Sequence, residues 1–299
     1  MVFKSEDSVI LYGEETDQGS IVTPDSVLSP IQDEITLPDP EYAYEEEYYI
    51  GDGQTAGGKF KGQEDLSGGT LPFKVTQPYE LYLLLGNKNT DTGTTTLTLK
   101  ETDYPPSISL GAKINGFKRT FVGVTATSGE LNVTNEDQLQ LDLDFDALGV
   151  DTTQSISEPS GENYNTEQTF DFNSTVSNLS IFGSQFARLT DLTITINRNT
   201  SYEYYVEDSS GPFEILYGRP EITMDATIKV SDDSIYQELL DGQTPFTSNI
   251  TFENDDYNLD ISLLDCNIRS APHPIPEEGA VEVDVEIVAE DIEIIFDEI

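Results

Sequence analysis

The sequence contains one cysteine, one histidine, two methionines and no tryptophan in 299 residues. With Cys266 alone there is no intrachain disulfide framework and no cysteine-rich zinc site. A multi-histidine metal centre or a histidine-based triad would rest entirely on His273, set in Ala271-Pro272-His273-Pro274, where a loop histidine is the plainer reading. Cationic side chains are scarce as well: 14 Lys and Arg stand against 57 Asp and Glu, a formal charge of −43. That excludes nucleic-acid binding through a phosphate-neutralising patch and disfavours an anionic membrane surface. The stretch Met1-Val2-Phe3-Lys4-Ser5-Glu6-Asp7 has no apolar core, so no secretory signal is expected there. The longest apolar run, Leu81 to Leu85, is far too short to cross a bilayer.

What is present points to sheets. Only 36% of residues are hydrophobic, yet 15 Tyr and 14 Phe supply bulky core material, and the length allows one large all-β domain or two domains of about 150 residues. Thr94–Leu99, Leu139–Asp146 and Leu192–Ile196 show period-2 alternation, which puts one face of each strand in a core and the other in water. Gly, Asn, Asp and Pro clusters separate such segments, so antiparallel sheets with one wet face are expected. Two stretches break the pattern. Gln77–Leu85, with Pro78 at its start and Gly86-Asn87 at its end, reads as a short helix, and so does Ser231–Gly242 with its Ser and Asp cap candidates. Self-repulsion at −43 should weaken a compact state in dilute buffer and be screened within about 3 Å at 1 M salt, the balance expected of a protein from a halophilic archaeal setting.

The chain also matches itself. Tyr48-Tyr49-Ile50 aligns with Tyr204-Tyr205-Val206, Gly62 with Gly218, Val75 with Val230, Tyr79 with Tyr236 and Gly86 with Gly242, at offsets of 155 to 157. Leu139–Phe145 aligns with Val281–Ile287 at an offset of 142, so the first copy carries extra length between Asn87 and Phe121. The division expected is an N-terminal extended arm over 1–40, a first β-domain over 41–155 and a second over 156–299, with a polar boundary near Val150 to Asn165. The arm, with Pro24, Pro30, Pro38 and Pro40, offers few strands and reads either as a disordered tail or as a segment that orders on a neighbouring subunit.

No phosphate-binding loop, nucleophile elbow, metalloprotease helix or EF-hand spacing occurs, so no catalytic, cofactor-binding or metal residues are assigned and no enzyme activity is expected. Asp142, Asp144 and Asp146 hint at a calcium loop. On a strand they instead form a row some 6–7 Å apart that cannot wrap an ion. Carboxylate pairs suited to glycoside hydrolysis are inevitable among 57 acids and therefore carry no information. Sequons at Asn132, Asn173, Asn178, Asn199 and Asn249 are largely what a Thr- and Asn-rich chain yields by chance.

Three stretches together give the chain a family likeness: Leu11-Tyr12-Gly13-Glu14-Glu15-Thr16, the Gly116–Val124 hairpin with the strand at Leu139–Gly149, and the Tyr- and Leu-rich helix ending at Gly86. Over essentially its full length the chain resembles the major tail tube proteins of long-tailed, siphovirus-like viruses. The resemblance implies a β-sandwich with one flanking helix that adds strands to a closed β-barrel tube; with the internal repeat, the expectation is an all-β chain with short helices and two tandem tail-tube-type β-sandwich domains. It further implies a structural virion protein of the tail, made in the host cytoplasm. Its rings would stack into an acidic-lined conduit through which viral DNA passes at ejection without sequence-specific binding. The partners implied are other copies of itself, as a homotrimeric pseudo-hexameric ring or a homohexamer, together with tape measure and tail terminator or baseplate proteins. In such a ring the longer Asn87–Phe121 segments would reach towards an adjacent ring. An extracellular surface or adhesin module of a halophile, and a β-sandwich carbohydrate-active enzyme, are the alternative readings.

Overall fold

A computed structural model describes residues 8–27, 35–38, 41–47, 58–100, 105–114, 117–134, 138–151, 153, 156, 169–170, 178–181, 184–186, 189–204, 212–229, 245–254, 257–272 and 282–298. The expected helix at Ser231–Gly242, His273, the Tyr48–Ile50 match and most of the Val150–Asn165 boundary lie outside these residues.

The first half of the chain forms β1 (Ser8–Glu14), β2 (Ser26–Val27), β3 (Glu41–Glu47), β4 (Gly58–Asp65), β5 (Gly69–Lys74), α1 (Tyr79–Leu85), β6 (Gly86–Asp91), β7 (Thr94–Leu99), β8 (Ile108–Ile114), β9 (Phe117–Thr134), β10 (Gln140–Asp146) and β11 (Gly149–Asp151). The second half forms β12 (Asn178–Ile181), β13 (Ser184–Phe186), β14 (Leu189–Asn197), β15 (Ser201–Glu203), β16 (Glu214–Leu216), β17 (Glu221–Lys229), β18 (Phe246–Glu253), β19 (Tyr257–Ser270), β20 (Glu282–Ala289) and β21 (Asp291–Glu298). All pairings are antiparallel.

Alternation produces these strands as expected. Leu141, Leu143 and Phe145 of β10 are buried while Asp144 between them is exposed, and Leu192, Ile194 and Ile196 of β14 are buried in the same way. The helix begins after Pro78 and stops at Gly86, whose φ of 95° lets its N–H return to the Tyr82 carbonyl. An L side chain would resist that conformation, which is why glycine ends the helix.

A central sheet runs in the order β5–β10–β9–β14–β17–β20–β19. It contains strands from both halves, joined by seven residue pairs between β9 and β14, from Asp191↔Thr134 to Asn197↔Ser128. The long strands β9 and β19 each leave this sheet at a corner and continue into a second one. The N-terminal part of β9 belongs to β2–β1–β8–β9–β11, and that of β19 to β13–β12–β18–β19–β21–β7–β6. One contiguous core lies among the sheets and α1. No strand among the described residues closes the central sheet into a barrel within one chain.

One finding departs from the sequence reading. The arm is not strand-poor: β1 pairs over its whole length with β8, and Leu11 is fully buried. Its short apolar run, Val9 to Tyr12, is overshadowed in sequence by the prolines that follow. The segment after α1 also builds into its own chain, at one end of the second sheet. There β6 and β7 form a hairpin, and β7 pairs with β21, five residues against five, because alternating Leu97 and Leu99 complete the core beside Ile294 and Phe296.

Candidate functional surface

Alternation along the central sheet sorts its side chains by face. Leu131, Leu141, Ile194, Met224 and Val285 enter the core. The opposite face carries Glu130, Asp142, Asp144, Asp191, Asp225, Asp284 and Glu286. Asp142 lies directly opposite Glu130, and Asp225 directly opposite Glu286, placements that cost stability between like charges. Hydroxyls relieve part of this. Thr70 and Ser128 donate to the two Asp144 oxygens at 2.9 and 2.8 Å, and Thr227 donates to Asp284 at 2.8 Å. Arg269 adds one ion pair, 3.0 Å from Glu286. Burial, then Glu286, raises the Asp225 carboxyl above the usual aspartate range, with Arg269 opposing and Glu130 adding to the rise. A depression of about 290 Å³ lies over these acids, bounded by Asp191, Asp225, Asp284 and Glu286.

The Asp142, Asp144, Asp146 series thus forms a row along β10, and Asp146 accepts from the Gly68 N–H at 3.2 Å. No group of metal-ligating side chains occurs among the described residues. Cys266 is buried and its thiol is pushed up to about 11, chiefly by that burial.

The stretches that carry the family likeness converge on one junction. Glu15 Oε1 accepts from the Gly123 N–H at 2.9 Å and the Ser109 hydroxyl at 2.7 Å, while Oε2 accepts from Ser107 at 2.9 Å and the Gly19 N–H at 2.8 Å. One carboxylate thereby ties the loop after β1 to β8 and β9. Tyr12 stacks on Tyr79 at the head of α1, ring centroids 4.6 Å apart. Burial and then Glu14 push the Tyr12 phenol up to about 12. Sequence reasoning did not find the Glu15 role, since three of its four partners lie 92 to 108 residues away.

A second junction locks the halves together. Gln18 and Ile215 exchange two hydrogen bonds, with the Gln18 amide donating to the Ile215 carbonyl at 3.2 Å and accepting from its N–H at 2.9 Å. Arg198 is fully buried, its guanidinium 3.8 Å from the Tyr217 ring centroid and donating to the Lys100 carbonyl at 2.5 Å. Tyr217 in turn donates to the Leu83 carbonyl of α1 at 3.0 Å. Nothing in the spacing of these residues signals the contact.

The described residues thus form a large antiparallel β-structure with one acidic sheet face. No curated protein matches this chain. The phage tail tube protein family matches residues 5–289, which is nearly the whole length. The chain belongs to that family and is a structural component of a viral tail.

Proposed function

We propose that three copies of this chain close into a pseudo-hexameric ring, that rings stack into the tail tube, and that the acidic face of the central sheet lines the channel for DNA. One observation carries the reading: the central sheet contains the same set of strands twice. In the first half β5 pairs with β10 and β10 with β9; in the second, β17 pairs with β20 and β20 with β19. Registers agree too, with Phe73 opposite Leu141 and Ile228 opposite Val283. A one-residue bulge falls at Thr127, before Ser128↔Asp144, and again at Arg269, before Ser270↔Glu286. These features favour a tandem pair of tube domains, 41–155 and 156–299, each filling one of six places.

With the Thr36↔Thr70 bridge, each chain offers eight strand positions. At ordinary strand spacing and tilt, three chains would enclose roughly 45–50 Å between opposite backbones. An acidic lining repels phosphate, so the duplex slides without sequence-specific attachment. The surplus of acids also suits a virus of a halophilic archaeon, made in the host cytoplasm and screened there by salt. Tape measure and terminator or baseplate proteins are the further partners the family implies.

Mass photometry of isolated rings tests the stoichiometry. Three chains per ring is the expected mass. Six would mean one tube domain per chain and would reject the tandem reading.

A further inference from the structure

Strands β11 and β21 hold equivalent places in the two halves. Gly149, Val150 and Asp151 pair with Val122, Phe121 and Thr120 of β9, while Asp291, Ile292 and Glu293 pair with Leu264, Leu263 and Ser262 of β19. All six positions correspond at the same offset of 142. The other edges of the two strands differ. There β21 takes β7, from Glu293↔Thr98 to Asp297↔Thr94, and Ile292 is fully buried. Among the described residues β11 pairs with β9 alone, and Val150, the counterpart of Ile292, is 37% exposed. Such an edge offers backbone groups and an apolar side chain to an incoming strand.

A cleft of about 760 Å³ opens beside β11, bounded among others by Asp17, Val122, Leu148, Gly149, Phe213 and Glu214. A Cβ added at Gly149 would meet nothing within 4 Å, so the backbone is approachable there. Phe213 is 58% exposed. With Val150 and Ile21, which follows the loop forming one wall, it makes up the large apolar side chains exposed among the described residues. Their gathering at one cleft of a strongly acidic chain marks a binding surface.

The chain itself shows what this kind of edge accepts. β7 is uncharged, with Thr94, Thr96 and Thr98 on one face and Leu97 and Leu99 turned into the core. Sequence offsets fall from 156 at Gly86 and Gly242 to 142 at Phe121 and Leu263, and β6–β7 lies within the extra length of the first half. One hairpin therefore serves two equivalent edges, and it is bound to β21 of its own chain. A further copy has its β7 engaged in the same way, so the strand for β11 comes from a different protein. Asp17, Asp151 and Glu214 make the opening acidic, which selects a neutral or cationic strand over an anionic one.

We propose that β11 and its cleft form a strand-addition site for a different protein. The segment it takes is extended, free of acidic residues and aliphatic at alternate positions, and it lies beside β11 as β7 lies beside β21. In the register of β7, a polar residue would stand opposite Asp151, as Thr98 does opposite Glu293, and the next, at the place of Leu99, would be an aliphatic one over Val150. The proposal rests on the tandem reading above.

The probe is a fluorescent peptide with the sequence Thr94–Lys100, added to the full chain in 1 M KCl. It should bind saturably, and the same peptide carrying Leu97→Asp and Leu99→Asp should not. In the chain, Val150→Asp and Phe213→Asp should each weaken binding about tenfold or more. Both side chains are exposed, so the melting temperature should stay within about 2 °C of the parent. No binding, or binding that neither variant weakens, would overturn the site. A photoreactive version of the peptide tests the unaltered chain independently of any variant. Crosslinks should fall within residues 148–151 and 212–214, whereas capture only within 291–298 would mean that the peptide displaces β7 and would reject the proposal. Isolated rings should bind the peptide as free chains do. Rings that exclude it would show a neighbouring copy over the cleft and would overturn the foreign partner. Ring mass separates the two readings: three chains per ring without peptide binding would remove this site alone, and six would defeat the tandem reading whatever the peptide does.

Discussion

Gly123 and Asp265 stand 142 positions apart and both adopt left-handed backbone, with φ of 65° and 49°. Each sits at the corner where a long strand, β9 or β19, crosses from the central sheet into a second one. The offset equals the one separating Leu139–Phe145 from Val281–Ile287. A strand can make this turn only by leaving the extended region for one residue, and glycine does so at least cost, with Asp among the next most tolerant residues.

The two corners should respond oppositely to substitution. Gly123→Ala forces a Cβ into left-handed backbone within 2.7 Å of Leu148 and should cost about 2 kcal/mol or more. Asp265→Gly relieves the same conformation and should leave stability unchanged or raise it by up to about 1 kcal/mol. Thermal melts of both variants check this, and equal losses would contradict the shared geometry.

Glu15 holds four donors with one carboxylate. Glu15→Ala leaves the Gly123 N–H and two hydroxyls without their acceptor and should cost about 3 kcal/mol, whereas Glu15→Gln, which keeps one oxygen, should cost about half that. Amide exchange at Gly123 should accelerate in the alanine variant. Unchanged protection there would show the carboxylate to be dispensable.

Asp225 gives a pH signature. Its folded carboxyl holds a proton to higher pH than the unfolded chain does, through burial first and Glu286 second. Stability should therefore fall as pH rises from the ordinary aspartate value through the raised one, and stay lower above it. Asp225→Asn should raise the melting temperature at pH 7 in low salt and have no such effect at pH 3. An equal gain at both values would mean that ionisation is not the cause.

Salt should act on the whole molecule. With a charge of −43 and acids opposite acids across the central sheet, the melting temperature should climb between 0.1 and 3 M KCl as the screening length shrinks from about 10 Å to below about 3 Å. Differential scanning calorimetry along that series is the measurement, and a flat profile would remove the halophilic reading.

Sequence alone determined the local elements, because alternation and turn chemistry act over a few residues. The strands β7, β10 and β14 follow from their period-2 patterns, and α1 from Pro78 and Gly86. Composition likewise fixed the charge, and short-range spacing placed the acids of β10 in a row. Tertiary structure decided what depends on partners far apart in the chain. Whether β1 was tail or strand turned on β8, nearly 100 residues away, and the Glu15 and Arg198 junctions join residues with no mutual spacing signal. The continuity of both halves in one sheet rests on hydrogen bonds between β9 and β14, and backbone groups carry no residue code to announce their partner.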